Sequence, residues 1–465
     1  MLRCRFVAVH LINREHELAA LETAAEARSG QLVIVWGRRR VGKTYLLEAF
    51  TGGRRCIYYT ATQQSAPVEL ASFTEAVRSA EDGSDLPPDY AFPDWSAALD
   101  WLTTKAGDQR LVVVLDEFPY LVGSTAGLES IIQRWWDQRG RASSVMLVLC
   151  GSAVAYMSQV TGAAAPLHQR ATVSLYVSPF DYYAAGQAVM ELPAAERAVV
   201  YGILGGTPLY LEQWDVGSSR QANLVRLFGN PASPLVDAAE LVLSGELPEL
   251  EGAFRILQAV ALGRTRPNEI QDYARVAVER PIKRLTSLGI LERRVRALDD
   301  PMRTRRAIYR IVDPYFAFWF RFIAPHRAHI ARGLGAQLVS GRIVPFLDDY
   351  MGGIFEEMAR EHARRVAGLG ELDAERIECW WSSDGEHEID IVGVTGRDRV
   401  TAVGTAKWSA RQLGRDVLAN LEYHAAALPG FQPGSPRFVY GRGGCTEPLV
   451  ADPLVRCYSV ADMYR

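Results

Sequence analysis

The stretch Val33-Ile34-Val35-Trp36-Gly37-Arg38-Arg39-Arg40-Val41-Gly42-Lys43-Thr44 decides the fold. Gln31 to Trp36 is a short apolar run of the kind that forms a buried strand, and Tyr45 to Phe50 reads as a helix. The turn between them matches G-x-x-x-x-G-K-[ST] at every position. Glycine at 37 and 42 allows backbone turns that a Cβ would block. The loop amides and the helix N-terminus then face an anion together. Lys43 is placed to reach the β- and γ-phosphates of a nucleotide, and the Thr44 hydroxyl to hold Mg²⁺. The expected nucleotide contacts are Gly37, Arg38, Arg39, Arg40, Val41, Gly42, Lys43, Thr44 and Tyr45. The expected ligands are ATP and Mg²⁺.

About 70 residues downstream, Leu111 to Leu115 is a second fully apolar run, and it ends in Asp116-Glu117. In this setting Asp116 is expected in the magnesium shell, with Thr44, and Glu117 beside the attacking water. A third run, Val145 to Cys150, ends in Gly151-Ser152, where Ser152 suits either γ-phosphate sensing or an ordinary helix cap. Arg170 is a candidate arginine finger, or simply a surface arginine. Cys56 to Thr60 reads as one more strand. Apolar strands alternating with helices indicate a parallel sheet covered on both faces.

With these motifs in order, the chain resembles a family of prokaryotic AAA+/STAND-type ATPases often called archaeal ATPases. The resemblance rests on Leu11-Ile12-Asn13-Arg14-Glu15-His16-Glu17-Leu18, the loop from Gly37 to Thr44, Asp116-Glu117, Gly151-Ser152, the stretch Pro166 to Arg170, and Gly205-Gly206-Thr207-Pro208. It covers roughly residues 10 to 240. It implies an AAA+-like core with a helical lid, and it places Asn13 and Arg14 against the adenine. Asp313 to Phe322 resembles an aromatic hallmark of the same family, and its helical spacing suits a core or interdomain seam.

Helices are expected near Glu251 to Leu262, from Arg266 and from Arg280, and Lys283 to Arg293 reads as the end of a recognition-type helix running into the first wing strand. Arg275, Arg280, Lys283, Arg284, Arg293, Arg294, Arg296, Arg303, Arg305 and Arg306 cluster there. Double-stranded DNA contact through residues 266–306 is the expectation, against a packing role for the same module. Strands near Ile377 to Trp381, Ile389 to Val394 and Val400 to Gly404, after a helix from Phe355 to Ala367, resemble the PD-(D/E)xK nuclease core. That resemblance implies a site of Glu356, Asp390 and Lys407, with Glu388 a possible substitute acid. Thr405 stands at the second acid position, where a neutral hydroxyl gives a metal no charge. A relic site is therefore expected.

The expected fold is α/β: a P-loop NTPase (AAA+-like) parallel sheet with a helical lid, a winged helix-turn-helix and a C-terminal restriction-endonuclease-like α/β domain. The divisions fall at 1–185 (core), 186–247 (lid), 248–312 (winged helix), 313–345 (aromatic connector) and 346–465 (nuclease-like unit). The expected function is a Mg-dependent ATPase acting as a nucleotide-driven switch on DNA or a protein partner, with a protein partner or a homo-oligomer as the expected assembly. The alternatives are a nucleotide-gated regulator with little turnover and an ATP-regulated endonuclease.

Composition sets outer limits. With 465 residues, 48% hydrophobic and 23% charged, the chain has apolar material for several cores. A net charge of −3 excludes bulk polyanion binding, so any nucleic-acid contact needs a local basic face. Cys4, Cys56, Cys150, Cys379, Cys445 and Cys457 show no C-x-x-C spacing, and they read as reduced, in the cytoplasm, without a disulfide framework. No apolar run of 18 or more residues predicts a membrane span, and the opening lacks the apolar core of a signal peptide.

Overall fold

The computed structural model describes residues 12–465, apart from 85, 161, 163, 164, 168, 248 and 305. Cys4, Leu11, His168 and Arg305, which entered the expectations above, lie outside the described residues. The chain forms two compact units, Met1–Pro179 and Phe180–Arg465.

The first unit is built on five parallel strands: β1 (Gln31–Trp36), β2 (Cys56–Thr60), β3 (Leu111–Asp116), β4 (Val145–Gly151) and β5 (Val173–Tyr176). Their order is β2-β3-β4-β1-β5. Burial explains that order. Residues of β3 and β4 are buried throughout, and β1 is buried up to its last residue, because helices cover both faces of the sheet centre. In β2 and β5 only alternate residues are inward, as edge strands require. β5 escapes a sequence reading because it is four residues long and half polar.

One face carries α1 (Glu15–Glu26) and α2 (Lys43–Thr51), whose Leu21, Leu46, Leu47 and Phe50 meet Val33, Val35, Val112 and Val148. The other carries α3 (Ala66–Ser79), α4 (Trp95–Ala106), α5 (Phe118–Ser124) and α6 (Leu128–Gln138), through Phe73, Trp95, Phe118 and Trp135. Asp94 caps α4 by accepting from the Ala97 amide at 2.8 Å. The C-terminal ends of β1, β3 and β4 lie side by side, which is where open α/β sheets hold ligands.

In the second unit, helices predominate from Tyr182 to Glu246. Three more follow, Leu250–Ala261, Pro267–Ala274 and Glu279–Ser287, and then an antiparallel ribbon of β6 (Leu291–Arg294) and β7 (Ile308–Ile311). The aromatic run from Tyr315 is interior. The Tyr315 hydroxyl donates to the Leu235 carbonyl and the Trp319 indole to that of Val236, both at 2.8 Å. These rings are sealed in a core, so none is a platform for bases.

The end of the unit is a mixed sheet of β8 (Arg376–Trp381), β9 (Glu388–Thr395), β10 (Arg399–Lys407), β11 (Arg437–Gly441) and β12 (Val455–Ser459), in order β12-β11-β10-β9-β8. β8, β9 and β10 run antiparallel, and β10, β11 and β12 run parallel. The helix Leu347–Gly368 packs on β8 to β10, and it begins eight residues before the expected start at Phe355. The expectation of reduced cysteines needs one correction. Cys445 and Cys457 are joined, because β12 pairs beside β11 and brings the loop after β11 back to it. Cys56, Cys150 and Cys379 are free.

Candidate nucleotide site at the strand ends

Each strand end contributes one piece. From β1 the chain enters the Gly37 to Thr44 loop. A Cβ at Gly37 would lie 2.3 Å from the Val177 carbonyl oxygen, so only glycine fits there. Gly42 has φ 91° and ψ 23°, a left-handed conformation that glycine adopts without strain. It precedes α2 without a side-chain cap, so the first amides of the helix remain available to an anion.

The Lys43 ammonium is buried and donates to the carbonyls of Gly37 at 2.8 Å and Arg38 at 2.9 Å. Burial holds it below the ordinary lysine range, while Cys150, Glu117 and Asp116 pull it back up. It is thus a strong donor placed inside the loop it serves.

From β3 comes Asp116. Its Oδ2 accepts from the Thr44 hydroxyl at 3.0 Å and the Tyr58 hydroxyl at 2.9 Å, and its Oδ1 from the Glu117 amide at 2.9 Å. Tyr58, on the neighbouring β2, was not among the expected residues. Burial and the Asp116 carboxylate push its phenol upward, so it stays a proton donor. Only the β2–β3 pairing, Tyr58 opposite Val114, reveals it.

Glu117 sits at φ 53°, ψ 41°, a left-handed conformation that costs a residue with a Cβ roughly 1–2 kcal/mol. That turn carries its carboxylate toward β4, where the Ser152 hydroxyl lies 3.1 and 2.9 Å from its two oxygens and donates to it. Arg39 completes the group, 3.4 Å from the Ser152 hydroxyl and 2.7 Å from that of Tyr120.

Two further expected residues make contacts of their own, and a third is exposed. The buried Arg14 donates to the Val41 carbonyl at 3.1 Å, the Ser178 carbonyl at 2.7 Å and Glu17 at 3.0 Å. It ties the loop to the chain beyond β5. Asn13 is exposed, at φ 49°. Arg170 grips Asp137 with two bonds, of 2.9 and 2.8 Å, and donates to the Pro166 carbonyl. Arg38 is buried, whereas Arg40 and Tyr45 are exposed.

The second expected site is assembled differently. Asp390 Oδ2 accepts from the Thr405 hydroxyl and the Ala406 amide, both at 2.9 Å, with the Lys407 ammonium at 3.6 Å. Burial, then Asp390 and Glu388, push Glu356 up to about 7. Burial and Asp390 also raise Glu388. Among the described residues no three histidine, cysteine or carboxylate side chains are placed to hold a metal ion.

The basic stretch divides in two. Arg294 and Arg310 lie in an ion cluster with Glu292 and Glu357, and Arg360 joins it through Glu357. Arg296 pairs with Asp299, and Arg306 donates to Ser383. Arg293 and Arg284 donate to backbone carbonyls. Arg303 lies near Asp300, exposed. Arg275, Arg280 and Lys283 are exposed on or beside the helix Glu279–Ser287.

A five-stranded parallel sheet, a glycine loop between β1 and α2, and an acid pair ending β3 define a P-loop NTPase of α/β fold. Residues 11–214 match an ATPase domain predominantly from Archaea, and residues 319–417 match a family of archaeal and bacterial proteins of unknown function. The segment 11–214 is therefore similar to the ATP-binding ATPase domains of that family. An uncharacterised protein of Methanocaldococcus jannaschii is 26% identical over 408 residues, 85% of this chain and 87% of its own. Among solved structures, the Walker-type ATPase of Pyrococcus abyssi is similar with TM-score 0.45 and 20% identity, covering 67% of this chain and 96% of that one. The Aeropyrum pernix ORC2 protein in its ADPNP–ADP complexes is similar with TM-score 0.42 and 14% identity, covering 73% and 97%. No helix among the described residues is long and apolar enough to cross a membrane.

Proposed function

We propose that the chain hydrolyses ATP with Mg²⁺ and uses the cycle as a switch acting on DNA or a protein partner. The observation that carries this reading is the continuous chain of contacts across three strand ends, from Thr44 to Asp116 to Glu117 to Ser152. A hydroxyl and a carboxylate 3.0 Å apart are hard oxygen donors that suit magnesium, and Thr44 and Asp116 would hold it. Bound there, the ion neutralises phosphate charge.

The residues of the chain do the rest. The loop amides and Lys43 bind and orient the phosphates, with Lys43 exchanging its carbonyl partners for phosphate oxygens. Glu117 orients the attacking water once Ser152 releases it, and Ser152 then faces the γ-phosphate. Asp116 is held in place by Tyr58, and the loop by Arg14. We read the helices from residue 186 to 247 as the lid, 248–312 as a winged helix, 313–345 as the connector and 346–465 as a nuclease-like fold without cleavage. Double-stranded DNA contact falls to the exposed Arg275, Arg280 and Lys283.

Phosphate release from ATP by the full chain and by Lys43→Ala tests the reading. Loss of on the order of 10²-fold or more in the variant is expected. Equal release by both proteins would sink it. Plasmid nicking by the wild type that disappears in Asp390→Ala would instead favour an endonuclease.

A further inference from the structure

A cavity of about 630 Å³ lies between the ribbon strand β6, the helix Leu347–Gly368 and β8. It is separate from the strand-end site and from the exposed basic helix. Its size falls in the range of small-molecule sites, roughly 300–1,000 Å³. Five arginines line it, Arg293, Arg294, Arg360, Arg364 and Arg376, against three glutamates, Glu292, Glu375 and Glu378. The lining therefore carries two positive charges in excess, five minus three.

The partners show which charges are satisfied. Arg294 and Arg360 share Glu357 behind the wall, and Arg376 holds Glu378 at 2.9 Å. Among the described residues, Arg293 donates to the carbonyls of Pro301 and Thr304, at 2.9 and 2.7 Å. Among the described residues, Arg364 donates to the carbonyl of Ile377, at 3.2 Å. Neither makes an ion pair among the described residues, and both are exposed. A guanidinium has five N–H donors, so each retains several for a ligand. Partial burial first, and then the Arg294 and Arg360 charges beside it, hold the Arg364 guanidinium below the ordinary arginine value against the pull of Glu357 and Glu361.

We propose that this cavity binds a phosphorylated small molecule of nucleotide size, with Arg293 and Arg364 contacting its phosphate. Planar guanidinium forks match phosphate oxygens in pairs, and the excess of two charges matches a phosphate dianion. Glu375, whose carboxylate accepts from the Gly396 amide at 3.0 Å, adds an acceptor suited to a ligand hydroxyl. The pocket is bounded on three sides by β6, the helix Leu347–Gly368 and β8, a concave shape that suits a small ligand better than the long track a nucleic-acid backbone needs.

The test is calorimetric titration of the full chain carrying Lys43→Ala, which weakens the P-loop, with inorganic pyrophosphate, with AMP and with a short DNA duplex. Saturable binding of pyrophosphate or AMP is expected. Adding Arg364→Ala or Arg293→Ala should weaken it about tenfold or more, the effect of one charge-assisted bond. Arg364→Lys should restore part of the loss. Tighter binding of AMP than of pyrophosphate identifies a nucleotide, and the reverse a bare phosphate; both support the site. Thermal unfolding curves matching the parent show that the variants are folded. The proposal is overturned if neither small ligand saturates at millimolar concentration, if both alanine variants bind as the parent does, or if only the duplex binds.

Discussion

Glu117 is the residue on which turnover should depend most sharply. It occupies a left-handed turn, and its carboxylate is steered by Ser152. Glu117→Gln keeps size and polarity but removes the base. Hydrolysis should fall by roughly 10²–10⁴-fold, while ATP affinity measured by calorimetry stays within a few fold. An unchanged rate would mean the chain binds nucleotide without using this acid. Tyr58→Phe is a subtler probe: it removes one donor from Asp116 and leaves the ring in place. A loss of about 1–2 kcal/mol of Mg-nucleotide binding is expected, read as a weaker apparent affinity for magnesium in the ATPase assay. Glu117 is legible in the sequence because it follows its strand directly. Tyr58 is not, because its role depends on β2 lying beside β3, a pairing that no local pattern encodes. Arg14 shows the same limit: the resemblance places it against the adenine, and its service to the Val41 and Ser178 carbonyls is not legible from the sequence.

At the scale of elements, the helix Leu347–Gly368 carries charges in opposite situations. Burial works against ionisation of Glu357, yet Arg360, Arg294 and Arg310 hold it well below the carboxylate range. Glu356, one residue earlier, is pushed up to about 7 by burial and by Asp390 and Glu388. The sign follows from linkage. A carboxyl raised in the fold stays protonated while its unfolded counterpart ionises, so it reduces stability as pH rises from about 4.5 to about 7. Glu356→Gln should therefore stabilise the protein at pH 8 and have little effect at pH 4.5, and thermal unfolding at the two pH values reads this directly. Stabilisation equal at both would show that Glu356 ionises normally. Arg294→Ala should act differently, leaving Glu357 buried with fewer partners and lowering the thermal midpoint. The three helices and ribbon strands around it follow their hydrophobic spacing, and most were readable. The counterion of each arginine was not, since Glu357 lies 63 positions from Arg294.

The molecule joins two kinds of chemistry: a nucleotide site in the first compact unit and a basic helix in the second. Net charge near neutrality means that only a local cluster can draw DNA; ion pairs and backbone hydrogen bonds engage the arginines around β6, so the proposed contact falls to the exposed Arg275, Arg280 and Lys283. A switch requires that occupancy of one site change the free energy of the other, and the coupling is reciprocal. If DNA is the partner, duplex DNA should change the rate of ATP hydrolysis, and ATP should change DNA affinity by the corresponding binding factor. Both effects should weaken steeply between about 50 and 200 mM salt, because phosphate contacts release counterions. Arg280→Ala with Lys283→Ala should lower the slope of log affinity against log salt by about 2, near one per lost contact, while DNA-free hydrolysis stays at the wild-type rate. A DNA-independent rate in the wild type, with no salt-sensitive binding, would assign the basic helix to packing or to a protein partner and leave the ATPase reading intact.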